Sequence, residues 1–263
     1  MDLGLKDKVA VITGGSEGIG KAAAMSMAAE GAKVVICARR AEVLERAAEE
    51  IRRATGGEVL AVPADVTRPE DIDALFQKVE EAFGRVDILV NNAGTSAAGY
   101  FEEVDDGSWY ADLDLKLMAA VRCARKAIPY MKRQGGGRII NVTNLGGKAP
   151  GPRSVPTSVS RAAGIALTKA LSKDYASDNI LVNTVCIGLI KSGQHERRFE
   201  QAKAQNPALT LEEWYAQMGQ RVPLGRVGES REAGDVIAFL ASERASYLTG
   251  TAVNIDGGTS AVV

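Results

Sequence analysis

The stretch Val9-Ala10-Val11-Ile12-Thr13-Gly14-Gly15-Ser16-Glu17-Gly18-Ile19-Gly20 joins an apolar run of strand length to a glycine-rich turn, and an alanine-rich segment follows it to Glu30. In a chain with 28 glycines among 263 residues, the G-x-x-x-G-x-G spacing alone decides little. Its context decides more. A strand that runs into glycines opening a helix presents backbone N–H groups at a helix N-terminus with no Cβ in the way, which suits a pyrophosphate. A glycine turn with a purely structural role is the alternative at this point.

Working outward, strand-length apolar runs alternate with longer stretches of helical period, the pattern of a parallel sheet built from strand-helix-strand units. The expected strands are Val9–Thr13, Lys33–Ala38, Glu58–Pro63, Val86–Asn91, Arg138–Thr143, Ile180–Ile187 and Thr251–Ile255. Helix ends carry their own signals. Thr67-x-x-Glu70 with Pro69 in the first turn reads as a capping box opening a helix to Phe83, which Gly84 stops. Gly31 reads as the left-handed cap after Gly18–Glu30, and Leu44, Ala48 and Ile51 form one apolar face of the next helix. The expected fold class is therefore α/β: one Rossmann-like, doubly wound, parallel seven-stranded sheet with helices on both faces, a single dinucleotide-binding domain over residues 1–263. The polar excursion at about 191–225, with Pro207, Trp214 and Pro223, is read either as a lid over the substrate or as a helical surface insertion.

Composition excludes other classes. The 46% hydrophobic and 25% charged content is that of an ordinary globular chain long enough to bury a core without staples. Lysine and arginine number 32 against 33 acidic residues, so no global field draws in nucleic acid. Cys37, Cys123 and Cys186 are far apart, and the single histidine, His195, cannot build a multi-imidazole zinc site, so no metal is expected. No apolar run approaches the ~18 residues of a membrane span, and Met1 to Lys8 has no apolar signal core. The expected address is the cytoplasm, the expected partner a small-molecule substrate.

The second strand ends in Cys37-Ala38-Arg39-Arg40. A carboxylate there grips the 2′-hydroxyl of NAD, whereas a guanidinium suits the 2′-phosphate of NADP. With no acid in that turn, Arg39 and Arg40 favour NADP(H) over NAD(H), although either arginine is also compatible with a solvated helix start.

Four further motifs then fall in order: Thr13 to Gly20, Ala64-Asp65-Val66, Asn91-Asn92-Ala93-Gly94, and Gly250-Thr251-Ala252-Val253-Asn254-Ile255-Asp256-Gly257-Gly258. Together they resemble the short-chain dehydrogenase/reductase family over nearly the whole chain. The resemblance implies that Gly14, Ser16, Glu17, Gly18, Ile19 and Gly20 cradle the dinucleotide. It also implies that Asp65 and Val66 sit by the adenine, that Asn91, Ala93 and Gly94 line the adenosine side, and that Gly188, Ile190 and Ser192 approach the nicotinamide. Taken as residues alone, Asp65 reads equally as a turn former, and Asn91–Gly94 as a loop with left-handed backbone. Where the family usually has Pro-Gly after the sixth strand, this chain has Ile187-Gly188.

The larger departure concerns proton transfer. Hydride addition to a carbonyl leaves an oxyanion that something must protonate or hydrogen-bond. The family uses a tyrosine, a lysine four positions on that also grips the nicotinamide ribose, a serine and an asparagine. The neighbouring sequence puts Thr157 at the tyrosine position, Arg161 at the lysine, Asn144 at the serine and Lys116 at the asparagine. No displaced pair rescues the motif: four residues after Tyr100, Tyr110, Tyr130, Tyr175, Tyr215 and Tyr247 stand Val104, Asp114, Gln134, Asn179, Gly219 and Thr251. Thr157 lacks a phenol's pKa of ~10. Arg161 can still fork onto ribose hydroxyls, and Asn144 can still donate an amide hydrogen bond. Lys116 is either an acid of lowered pKa or a space-filling cation, and His195 either a proton source in the lid or a surface histidine.

Two functions of different class follow. One is an NADP(H)-dependent oxidoreductase acting on a carbonyl or alcohol with a non-standard proton donor. The other is a redox-inactive NADP(H)-binding protein, a sensor or non-catalytic subunit, with a non-redox lyase or isomerase as a third use of the scaffold. The resemblance also implies a homo-oligomer, tetramer or dimer, paired through Ala111–Tyr130 and Val155–Ala176.

Overall fold

The computed structural model describes residues 2–263. Its strands are β1 (Val9–Thr13), β2 (Lys33–Ala38), β3 (Val59–Pro63), β4 (Ile88–Asn91), β5 (Gly137–Asn144), β6 (Ile180–Ile187) and β7 (Ala252–Ile255). They form one seven-stranded sheet in the order β3-β2-β1-β4-β5-β6-β7. Every pairing is parallel. All seven expected strands form, three with the expected bounds and four with ends displaced by one or two residues; Val86 and Asp87 lead into β4 instead of belonging to it.

The helices are α1 (Gly18–Ala29), α2 (Ala41–Thr55), α3 (Pro69–Phe83), α4 (Asp106–Leu113), α5 (Ala119–Arg133), α6 (Thr157–Asp174), α7 (Gly193–Gln205), α8 (Leu211–Gly219) and α9 (Ser230–Ala241). Strand side chains alternate between two cores, as the pleat requires. Ala10 and Ile12 of β1 join a core with Ala23 and Met27 of α1, Leu44 and Ile51 of α2 and Ile237 of α9. Val9 and Val11 join the opposite core with Leu75 and Val79 of α3 and Cys123 and Met131 of α5. Both faces of the sheet are thus covered, which is why its strands read as continuous apolar runs.

Gly31 and Gly84 end their helices with left-handed backbone, as expected. The Thr67-Glu70 capping box does not form. Arg68, not Thr67, precedes α3 as its cap, with no side-chain cap bond. The Thr67 hydroxyl instead donates to Asp65 Oδ1 at 2.8 Å, and the Thr67 N–H joins it at 3.0 Å. A closer carboxylate outcompetes the helix for that side chain. The excursion after β6 is two helices, α7 and α8, joined by tilted packing of Phe199 on Trp214.

The packing of α9 on α1 depends on Gly234, where an added Cβ would lie 2.7 Å from the Ala22 carbonyl carbon and 2.9 Å from its oxygen. These are backbone atoms, which cannot swing aside. Gly234→Ala is expected to cost about 2 kcal/mol and to lower the unfolding midpoint by several degrees, as read by thermal denaturation.

Candidate active site

The sheet order reverses between β1 and β4, and the loops at the carboxyl ends of these strands cannot both lie over the same edge. A cleft of about 960 Å³ opens there. One hydroxyl and one carboxamide set its floor. The Thr13 hydroxyl receives the N–H groups of Asn92 and Ala93 at 3.0 and 3.1 Å. The Asn92 amide donates to the carbonyls of Thr13 and Gly14 at 2.9 and 3.0 Å. The glycine turn is thereby tied to the loop after β4.

Within that turn, Gly14 has φ +66°, and a Cβ on it would stand 2.9 Å from the Asn92 amide nitrogen and 3.0 Å from Ala93 Cα. A Cβ on Gly20 would stand 2.3 Å from the Gly14 carbonyl oxygen. Gly20 therefore supports the turn from beneath and does not line the cleft, whereas Gly14, Ser16, Glu17, Gly18 and Ile19 do. Glu17 precedes α1 in extended conformation without a side-chain cap bond. The first-turn N–H groups thus have no side-chain acceptor from that residue, and the turn fits a diphosphate.

At one end of the cleft lie Arg39, Arg40, Asp65 and Val66. Arg40 pairs with Glu17 at 2.8 Å, and Glu17 also reaches Arg197 of α7 at 3.6 Å. Arg39 is exposed and has no ion pair among the described residues. Burial pushes the Asp65 carboxyl upward, but the Thr67 N–H and hydroxyl together with Arg39 and Arg68 outweigh it and hold the group below the usual aspartate value. Asp65 is accordingly both a turn former and a wall of the cleft.

Ala93 and Gly94 line the cleft, and Asn92 takes the place expected of Asn91. The Asn91 amide points into the sheet and donates to Asn141 Oδ1 at 2.9 Å. Gly188, Ile190 and Ser192 line the cleft, and Gln194, His195, Arg197 and Arg198 of α7 continue the wall. Burial, then the charge of Arg198, lowers the His195 pKa below the usual imidazole value. Its ring is therefore uncharged at neutral pH and a poor source of a proton.

Asn144, Arg161, Thr157 and Lys116 lie close together. Asn144 ends β5, and its Oδ1 is buried without a hydrogen-bond partner among the described residues. Arg161 of α6 donates from Nη1 to the Val142 carbonyl at 2.7 Å, while its buried Nε has no partner among the described residues. Its Nη2 passes over Gly94, where a Cβ would meet it at 2.7 Å. Burial lowers the Arg161 pKa to about 10 despite the opposing charge of Asp112, so the guanidinium stays charged at neutral pH. Thr157 and Asn144 line the cleft.

Lys116 does not. It lies in a π-helical turn, Asp114–Met118, that joins α4 to α5. Its ammonium is buried in an ion pair with Asp112 and donates to the Thr157 hydroxyl oxygen at 3.0 Å. The second Asp112 oxygen accepts from the Ser160 hydroxyl at 2.6 Å. Burial pushes the Lys116 ammonium down to about 8; Asp112 opposes that shift and the Arg161 charge adds to it. Lys116 thus stands behind Thr157 instead of beside a substrate. Neither Asp112 nor Ser160 was singled out by the sequence, where Asp112-x-x-x-Lys116 has the spacing of an ordinary exposed helix pair.

A glycine turn on a helix N-terminus, at the switch point of a parallel sheet, defines a dinucleotide-binding α/β protein. Comparison with known proteins makes the class narrower. The profile of the family described as Enoyl-(Acyl carrier protein) reductase matches residues 14–260. An uncharacterized oxidoreductase of Thermotoga maritima is 38% identical over 261 residues, 99% of this chain and 100% of that protein. The 3-oxoacyl-(acyl-carrier-protein) reductase of the same organism is 35% identical over 97% of this chain and 98% of its own. Among solved structures, L-sorbose reductase from Gluconobacter frateurii, complexed with NADPH and L-sorbose, superposes with a TM-score of 0.96 at 36% identity, covering 100% of both chains. The chain belongs to the short-chain dehydrogenase/reductase family, and it is an oxidoreductase of that type. Among the described residues, no helix is long and apolar enough to cross a membrane.

Asn92→Ala strips the donor from two carbonyls and loosens the turn they belong to. It is expected to destabilise the protein by about 1–3 kcal/mol, measured by chemical denaturation.

Proposed function

We propose that the protein is an NADP(H)-dependent oxidoreductase that exchanges hydride with a small carbonyl or alcohol, using Thr157 in place of a phenol at the substrate oxygen. The observation that carries this reading is the state of the Thr157 hydroxyl. Its oxygen accepts from Lys116 Nζ at 3.0 Å and from the Ala97 N–H at 3.0 Å, and the residue lines the cleft. With both lone pairs engaged, the O–H is left to donate outward, toward an oxygen held beside it. Asn144 supplies a second polar contact for that oxygen.

When bound, the dinucleotide supplies hydride to the carbonyl carbon. The turn from Gly14 to Ile19 holds its diphosphate, Arg161 grips the nicotinamide ribose with the nitrogens that lack protein partners, and Gly188, Ile190 and Ser192 flank the nicotinamide. Arg39 pairs with the 2′-phosphate. Arg40 is the weaker candidate, because Glu17 already engages it. The NADPH in the sorbose reductase complex supports the choice of cofactor. Residues 191–225 act as the lid, with α7 over the cleft.

Two measurements test the reading. Arg39→Ala is expected to weaken NADPH binding by roughly tenfold or more, as loss of a charge-assisted hydrogen bond would, and to leave NADH binding unchanged in calorimetry. Thr157→Val is expected to lower carbonyl-dependent NADPH oxidation, followed at the nicotinamide absorbance band, by roughly 10²–10⁴-fold with dinucleotide affinity retained. Tight NADPH binding by the unaltered protein with no turnover across a broad carbonyl panel favours the non-catalytic reading instead.

A further inference from the structure

We infer that Asp112 is the positioning residue of a proton relay rebuilt behind the cleft, in which Lys116 reprotonates Thr157 as Thr157 protonates the substrate oxygen, with Ser160 holding Asp112 in place. The inference rests on the oxidoreductase reading above and extends it to residues that touch neither substrate nor dinucleotide.

Three features of the geometry carry it. The Lys116 ammonium has one route to the cleft, its 3.0 Å contact with the Thr157 oxygen. The side chains of Lys116 and Asp112 are each only 1% exposed, so solvent does not compete for that proton. Both Asp112 oxygens are committed, one to Lys116 and the other to Ser160 at 2.6 Å, which fixes the direction from which the ammonium meets Thr157. A buried ion pair costs more desolvation than a simple apolar filling, so it is weak evidence for stability and better explained by what it positions.

The step balances as follows. The dinucleotide would supply hydride to the carbonyl carbon, with the C=O π pair moving onto oxygen. That oxygen takes the Thr157 proton as the Thr157 oxygen takes a proton from Lys116 Nζ. Lys116 is left as a neutral amine beside the Asp112 carboxylate, and the alcohol departs. Water reaching the cleft returns a proton to Lys116 through the same hydroxyl. The transfer through Thr157 is concerted, because an aliphatic alkoxide is too basic to persist there.

The sign of the pH dependence follows. Only the ammonium can supply the relay, so carbonyl reduction falls as pH rises through the Lys116 midpoint near 8, while alcohol oxidation rises over the same range. The charged groups facing Lys116 are Asp112 from α4 and Arg161 from α6, the neutral group at its nitrogen is the Thr157 hydroxyl, and the Ser160 hydroxyl faces Asp112. Removing the carboxylate leaves Arg161 unopposed and pushes the midpoint down.

The test combines a pH–rate profile with a titration of Lys116 in protein carrying ¹³C-labelled lysine, in the presence of NADPH. Asp112→Asn is expected to lower the Lys116 midpoint by about a unit or more and to carry the fall in reduction rate with it. Ser160→Ala, which keeps the ion pair, is expected to shift both in the same direction by less, and stands in if Asp112→Asn does not fold. Lys116→Arg keeps the charge but not a transferable proton, and is expected to bind NADPH normally and lose turnover at least tenfold. Turnover whose pH profile stays put while the lysine midpoint moves, or an active Lys116→Arg, overturns the relay and leaves the oxidoreductase reading standing. Absence of turnover in the unaltered protein overturns both.

Discussion

The constraint on which the structure depends is the reversal of strand order between β1 and β4. Chain leaving β1 goes to α1 on one face of the sheet and chain leaving β4 goes to α5 on the other, so the carboxyl edge splits at that point and cannot be closed by its own loops. The split survives as a shaped cleft because Thr13 and Asn92 bind its two walls together at the base. Glycine is required at positions 14 and 20 for the same reason: the walls approach so closely that backbone occupies the space a Cβ would need. Packing of both sheet faces by helices then holds the split rigid.

On that frame the electrostatics of the site are unusual. A buried cation, Lys116, and a half-buried one, Arg161, share one buried carboxylate, Asp112. Burial disfavours the charged form of each cation, and both are pushed downward while Asp112 resists. The uncompensated positive charge lies next to the cleft, where Arg161 has a buried Nε without a partner among the described residues. A site with that balance favours negative charge developing at an oxygen beside Thr157, which is what hydride addition to a carbonyl produces.

Much of this was legible in the sequence, and what was not has identifiable causes. The strands and the glycine turn were readable because each is a local pattern in a fixed order. Asn92 was not, because Asn91 and Asn92 are adjacent amides and only the twist at the end of β4 turns one toward Thr13 and the other toward Asn141. The capping box failed because Asp65, two residues upstream, takes the Thr67 hydroxyl first. Asp112 was hidden by its spacing: four residues before a lysine it looks like a solvated helix pair, and only α6, brought alongside with Ser160 and Thr157, buries it.

In the proposed reaction, a threonine in place of a phenol changes where the acid is stored. A tyrosine held near a cation can carry the negative charge it is left with, so acid and hydrogen-bond donor are one group. Thr157 cannot, and the proton must arrive as another leaves. Storage therefore moves one side chain back, to a group whose affinity for protons is brought close to neutrality by burial. Lysine meets that requirement only if something keeps its ammonium aimed at the hydroxyl while it is desolvated, and a carboxylate held by a second hydroxyl does so. Arginine at position 161 is compatible with this division of labour because it holds its charge across the working range and does not compete as a donor. On that proposal Lys116, Thr157 and Arg161 act together, with the buried Asp112 at their centre.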